Sequence, residues 1–241
     1  MNSGKILKGL WIRSFLLQTG FNYERMQALG WCWVVSPLAK RLSIENKQEF
    51  YQDNLESFNA NPYISTYAVG AVAKLEEEKK DRKTILRLKN SLRGPLGSLG
   101  DSLIWKGVRP ALLALGILTA GWLGYWGPIL FLVLFNGMQI YLRRRGLKKG
   151  YELGEQIFKE FSGNFWKKMP AFFGAMGAIL LGLMLALKFG EYMTWGKEHV
   201  LTFSIALPLA VFGFYRRFPA FDIFLLCIGC GLVIKILAGI L

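Results

Sequence analysis

Histidine and cysteine are nearly missing from this chain: one histidine, His199, and three cysteines, Cys32, Cys227 and Cys230, occur in 241 residues. Three thiols cannot build a disulfide framework. Cys227 and Cys230 sit inside an apolar run, away from other metal-ligating residues, and are expected as small residues at helix contacts. No ligand cluster and no nucleophile–base spacing appears, so a metal centre or a membrane enzyme acting alone is not expected, and neither is a cofactor. Also missing is an uninterrupted apolar stretch with a small-residue cleavage site after Lys5 and Lys8; the N-terminus is expected to stay in the cytoplasm.

Negative charge is scarce as well, with 16 Asp and Glu against 30 Lys and Arg, a net +14. Such an excess first suggests nucleic acid. Its distribution argues otherwise. Arg143-Arg144-Arg145, Lys148-Lys149, Lys167-Lys168 and Arg216-Arg217 all abut apolar runs, where cytoplasmic flanks concentrate cations and anionic headgroups attract them. Membrane lipid, not nucleic acid, is the expected surface.

Long apolar runs are what the chain has in abundance. Hydrophobic residues make up 53% of it, concentrated after residue 109. Residues 110–142 exceed the roughly 20 needed for one span, and Gly124-Tyr125-Trp126-Gly127-Pro128 interrupts them, which predicts a there-and-back pair. Further runs cover 170–187, 199–215 and 223–241. The expected fold is an all-α polytopic membrane protein of about five membrane segments.

Four regions are expected: 1–93, 94–142, 143–169 and 170–241. In the first, residues 5–38 carry apolar positions at helical spacing and are expected to lie in the headgroup plane or against a partner. Residues 45–93 read as mostly polar helix, broken at Asn61-Pro62. The run from Leu75 to Lys83 reads as a solvated helical face. The segment Arg93–Asp101, with three glycines and a proline, reads as a broken or re-entrant element. Residues 143–168 hold eight Lys/Arg against three Asp/Glu and are expected as a cytoplasmic loop, with Leu241 on the periplasmic side of a bacterial inner membrane.

Several motifs then fall in a recognisable order: Asn22-Tyr23-Glu24-Arg25-Met26-Gln27, Phe58-Asn59-Ala60-Asn61-Pro62-Tyr63, Leu75-Glu76-Glu77-Glu78, and Gly94-Pro95-Leu96-Gly97-Ser98-Leu99-Gly100-Asp101 with Trp105 and Arg109-Pro110. Gly127-Pro128-Ile129-Leu130-Phe131 with Asn136, and Gly150-Tyr151-Glu152-Leu153-Gly154, complete the set. Together they resemble the IID subunit of mannose/fructose/sorbose-type sugar phosphotransferase systems. One departure stands out, since the family usually shows a histidine where this chain has Asn61. The resemblance implies a hetero-oligomer with a IIC membrane subunit that binds and translocates a hexose, served by separate IIA and IIB phosphoryl carriers. The membrane subunits themselves are not phosphorylated in that family. A non-transport receptor or regulatory protein on the same scaffold is the alternative.

Sugar hydroxyls pair with Asn, Asp and Glu side chains, and a sugar's C–H face stacks on aromatics. Asp101 is the leading candidate, because a carboxylate at membrane depth faces a cavity or a partner; an N-cap for a helix starting at Ser102 is its structural alternative. Asn59 and Asn61 flank a backbone break, where either also suits a turn. Asn136, in an apolar stretch, is expected to face the protein interior. Trp105 suits stacking or interfacial anchoring, Arg109 suits snorkelling or pairing with Asp101, and Glu24 is a further candidate beside Arg25.

Overall fold

The computed structural model describes residues 3–41 and 46–192 continuously, with a few isolated positions beyond. The chain divides into two compact units, Met1–Met184 and Leu185–Leu241, and the geometry below belongs to the first. The expected spans at 199–215 and 223–241, with His199, Cys227 and Cys230, lie outside the described residues. Among those described, all regular elements are helical: α1 (Ser3–Arg13), α2 (Ala28–Arg41), α3 (Lys47–Asn54), α4 (Thr66–Glu77), α5 (Arg82–Leu103), α6 (Arg109–Leu123), α7 (Trp126–Leu153), the short α8 (Phe158–Phe161) and α9 (Asn164–Tyr192).

The stretch expected as one amphipathic element over 5–38 is two helices. After α1 the backbone tightens into a 3₁₀ turn, Ser14–Leu16, and residues 17–27 are turns before α2 begins. Leu10 and Leu17 are buried in the core while Ile12 and Phe15 remain exposed. The polar character expected for 45–93 holds for α3 but not for α4. Helix α4 carries Tyr67, Val69, Ala71 and Val72 fully into the core, with Trp31 of α2 and Phe50 of α3 close to it in the same cluster. Its residues are small as well as apolar, so it is the axis around which larger side chains pack.

Helix α4 crosses α7 at a contact that only glycine permits. A side-chain carbon on Gly70 would land on the backbone of Leu147 and Tyr151, and one on Gly150 would land on the Tyr67 carbonyl. Close backbone approach through small residues is how helices associate where lipid offers no hydrophobic drive. The crossing also explains why α7 continues to Leu153. Residues 143–153, expected as part of a basic loop, are helix instead. Their cations pair along the helix, Lys149 with Glu152 at 3.0 Å, and Arg143 is buried.

The Gly-rich segment is also helical. Leu88, Leu92, Leu96, Gly100 and Leu103 are buried at spacings of three and four, so one apolar stripe runs unbroken through Gly94 and Pro95. Packing of that stripe overrides the local cost of glycine and proline. The irregularity falls later, in a π-helical turn over Ile104–Val108. Helix therefore continues from Arg82 to Leu123, 42 residues, and this is the one stretch among the described residues long and apolar enough to cross a membrane. The expected interruption at 124–128 is present: Gly124 ends α6 with φ of 55°, a left-handed value glycine adopts readily.

The run from Leu75 to Lys83 is not one solvated face. Leu75 and Glu76 are buried at the end of α4. The chain then turns through Lys79 at φ of 53°, and Asp81 caps α5 by accepting from the Thr84 N–H at 2.9 Å. Arg82 reaches back to Asp53 at 2.6 Å and to Glu76 at 2.5 Å, joining three helices in one ion-paired cluster. Burial pushes the Glu76 carboxyl above its ordinary range, against the opposing pull of the Arg82 guanidinium.

Candidate functional site

Two of the sequence motifs are zipped to each other. The Gln27 N–H donates to the Phe58 carbonyl at 2.8 Å. The Gln27 side chain donates to the Ala60 carbonyl at 2.9 Å and accepts from the Ala60 N–H at 3.2 Å, all of it buried. A buried amide whose nitrogen and oxygen are each bonded to the same backbone residue stabilises the one register that satisfies it. That register places the next residue, Asn61.

Asn61 is buried and uses nearly every polar atom it has. Its backbone carbonyl accepts from the Ser65 hydroxyl at 2.7 Å, and its side-chain oxygen accepts from the Tyr63 N–H at 3.1 Å, which shapes the turn into α4. Its amide nitrogen donates to Asp101 Oδ1 at 2.9 Å, across forty positions of sequence. The side chain reaches that far because Gly100 has none; a side-chain carbon there would collide with Asn61 Cβ and Cγ. The sequence pairs Gly100 with Asp101 for a steric reason.

Asp101 itself is exposed and lies within α5, not at a helix start, so it does not serve as an N-cap. Trp105, in the π-helical turn, is 40% exposed. Its ring meets Tyr63 edge-on at 5.9 Å, and Tyr63 meets Phe135 of α7 at 6.0 Å. The Arg109 guanidinium lies 5.0 Å from the Trp105 ring centre, an attraction of cation for aromatic face; no ion pair joins it to Asp101 among the described residues. The result is a polar pair, Asn61 and Asp101, bordered by an aromatic ledge and one cation.

The other candidates fall outside this group. Glu24 is exposed and pairs with Arg25 at 3.4 Å. Asn59 is exposed. Asn136 does not face the interior of this chain: it is exposed, and its amide donates to the Leu132 carbonyl of its own helix at 2.7 Å. That bond satisfies the amide locally and removes the need for a buried partner. Sequence reading overlooked Gly100 and Tyr63, and it overlooked Arg143, which is buried, donates to the Ser14 carbonyl at 2.6 Å and lies 5.6 Å from the Tyr63 ring centre. The adjacency of Gly100 to Asp101 was the available signal for the first.

The helical fold, the apolar stretch ending α5 and forming α6, and the motifs gathered around α4 define an all-helical membrane-protein class. Residues 3–192 match the sequence profile of the PTS system mannose/fructose/sorbose family IID component, and the chain belongs to that family. It is 34% identical over 187 residues to the "PTS system mannose-specific EIID component" of Escherichia coli K12, covering 74% of this chain and 66% of that protein. It is also 34% identical to the "Fructose permease IID component" of Bacillus subtilis, over 76% of this chain and 69% of the relative. The matched stretch thus spans just under two thirds of the mannose-specific relative's length.

Solved structures resemble it too. One, described as a membrane protein, aligns with TM-score 0.68 at 34% identity, covering 75% of this chain and 69% of the other. Another, from a complex of the mannose transporter ManYZ with microcin E492, aligns with TM-score 0.60 at 27% identity, covering 96% of this chain and 88% of that one.

Proposed function

We propose that this chain is the IID half of a sugar-conducting membrane unit and that the Asn61–Asp101 pair, with Trp105 and Tyr63, is its contribution to the sugar path. The observation that carries the reading is the pair itself: a carboxylate held by a buried amide at 2.9 Å yet left open on its other side. Asp101 keeps acceptor capacity for hexose hydroxyls, and the aromatic ledge suits the ring's C–H face. Arg109 faces the same ledge and is placed to donate to a hydroxyl.

On this chain alone the group is an exposed wall, whereas small-ligand sites bury about 70–90% of the ligand. The missing wall is a IIC-type subunit, as the mannose transporter ManYZ relative suggests. Exposed Leu132 and Asn136 on α7 give that subunit an apolar surface with one amide in it. IIA and IIB carriers supply phosphate to the sugar from the cytoplasm. The chain sits in a bacterial inner membrane in several passes, N-terminus inside, with the α6–α7 turn outside. Trp122, Tyr125 and Trp126, exposed around that turn, suit an interfacial aromatic belt.

The test is sugar uptake by cells that express this chain with its membrane partner and carriers. Asp101→Asn is expected to lower uptake at least about tenfold with normal insertion, the loss that removing one charge-assisted contact predicts. Unchanged uptake and affinity in both Asp101→Asn and Asp101→Ala would remove Asp101 from the path.

A further inference from the structure

The groove between α1 and α7 has no part in the sugar reading. It encloses about 440 Å³. Leu7, Trp11 and Leu147 form an apolar floor, and Lys8, Arg144 and Lys148 stand around it with no carboxylate in the lining. Lys148 has one weak pairing, with exposed Glu152 at 3.8 Å. The Trp11 ring lines the groove together with the cations.

We infer that this groove binds the headgroup of an anionic phospholipid, with an acyl chain running down α7. Three cations over an apolar floor are complementary to a phosphate joined to hydrocarbon. The placement fits as well. Arg144 lies two residues past Leu142, where the apolar run of α7 ends, the depth at which headgroups meet basic flanks. Ile140, Gly137 and Val133 lie on the same helix face as Arg144, four, seven and eleven residues before it. Ile140 and Val133 are 45% and 63% exposed, and the space over Gly137 is open. That face offers a shallow apolar track leading away from the charged end. A free phosphate uses the cations but neither the floor nor the track, so the observations favour a lipid.

The full chain, purified from membranes in neutral detergent with any co-expressed subunit and stripped of lipid, is titrated with phosphatidylglycerol, phosphatidylcholine or inorganic phosphate. Native mass spectrometry reads the lipid bound. Phosphatidylglycerol is expected to bind about tenfold more tightly than phosphatidylcholine, and Arg144→Gln with Lys148→Gln to erase that preference. Arg144→Lys keeps the charge and is expected to retain most of it; Lys8→Gln, on an exposed residue of α1, tests the same charge without touching α7. Three results would overturn the proposal: equal affinity for the two lipids, a preference that survives both the double variant and Lys8→Gln, or displacement of phosphatidylglycerol by equimolar inorganic phosphate. None of these depends on sugar uptake, so the outcome is separable from the transport reading.

Discussion

Asn61 lies against Gly100 and, through that contact, bonds Asp101 at 2.9 Å. Two turns of backbone far apart in sequence are thereby fixed with a carboxylate facing outward. Gly100→Ala places a methyl inside the Asn61 side chain and is expected to reduce sugar uptake about as much as Asp101→Asn, although residue 100 offers no group to a sugar. Asn61→His, which can still donate to Asp101, is expected to keep more activity than Asn61→Leu. Leu leaves Asp101 and the Tyr63 N–H without this partner, at about 1–3 kcal/mol. Uptake rates and thermal midpoints in detergent check both statements.

The glycines of this chain divide sharply by position. Gly150→Val drives a side chain into the Tyr67 carbonyl, and the α4–α7 crossing is expected to open, leaving little folded protein by size-exclusion chromatography. Gly94, in the same helix as Gly100, has open space around it. Gly94→Ala is therefore expected to be neutral or to stabilise by up to about 1 kcal/mol through helix propensity alone. A midpoint drop of several degrees in Gly94→Ala would contradict this.

Arg82 neutralises two carboxylates from two other helices, one of them Glu76, whose side chain is 6% exposed. Arg82→Met is expected to cost about 3–5 kcal/mol at pH 8, where a buried carboxylate is left unpaired. The sign with pH follows from Glu76. Burial raises its folded pKa above the ordinary 4.5, so the folded state favours the protonated acid, and this contribution is lost as pH rises through the folded value. Without Arg82 that folded value rises further. The difference between wild type and Arg82→Met is expected to shrink at pH 5, and equal differences at both pH values would show that the ion pair does not carry the effect.

Topology is open to reporter fusions. The proposed orientation puts the basic end of α7 in the cytoplasm and the aromatic turn in the periplasm, so a phosphatase fused within 154–163 is expected to be inactive and one inserted at Gly124 active. The reverse pattern would invert the orientation while leaving the helix packing described above intact.

Much of this was legible in the sequence, and the failures have physical causes. Charge and hydropathy marked the α6–α7 hairpin, because Gly124 and Pro128 interrupt an apolar run whose composition is otherwise uniform. Asp101 and Trp105 were legible as polar and aromatic groups beside small residues. Local propensity argues against helix through Gly94 and Pro95, but the Leu88-Leu92-Leu96 stripe, also present in the sequence, decides the outcome. Helix α4 is the opposite case: its alanines and glycine look neutral in isolation, and only the close crossing with α7 makes them core. The buried state of Arg143 had no sequence signal, since a cation in a basic cluster gives no hint that one member turns inward.

Arg143 also imposes an order on synthesis. Its donation to the Ser14 carbonyl joins positions 129 residues apart, and at roughly 5–20 residues per second that separation is about 6–26 seconds of translation. During that interval the first helix exists without the guanidinium that will satisfy its carboxyl end, and Phe15, which the Arg143 guanidinium later approaches within 4.9 Å, is uncovered. The contacts of Arg13 with the Trp33 carbonyl at 3.1 Å and the Ser36 hydroxyl at 3.0 Å span far fewer residues and become available well before the Arg143 bond. The amino-terminal pair of helices can therefore assemble on its own contacts, and the Arg143 bond closes over it only once α7 has been made.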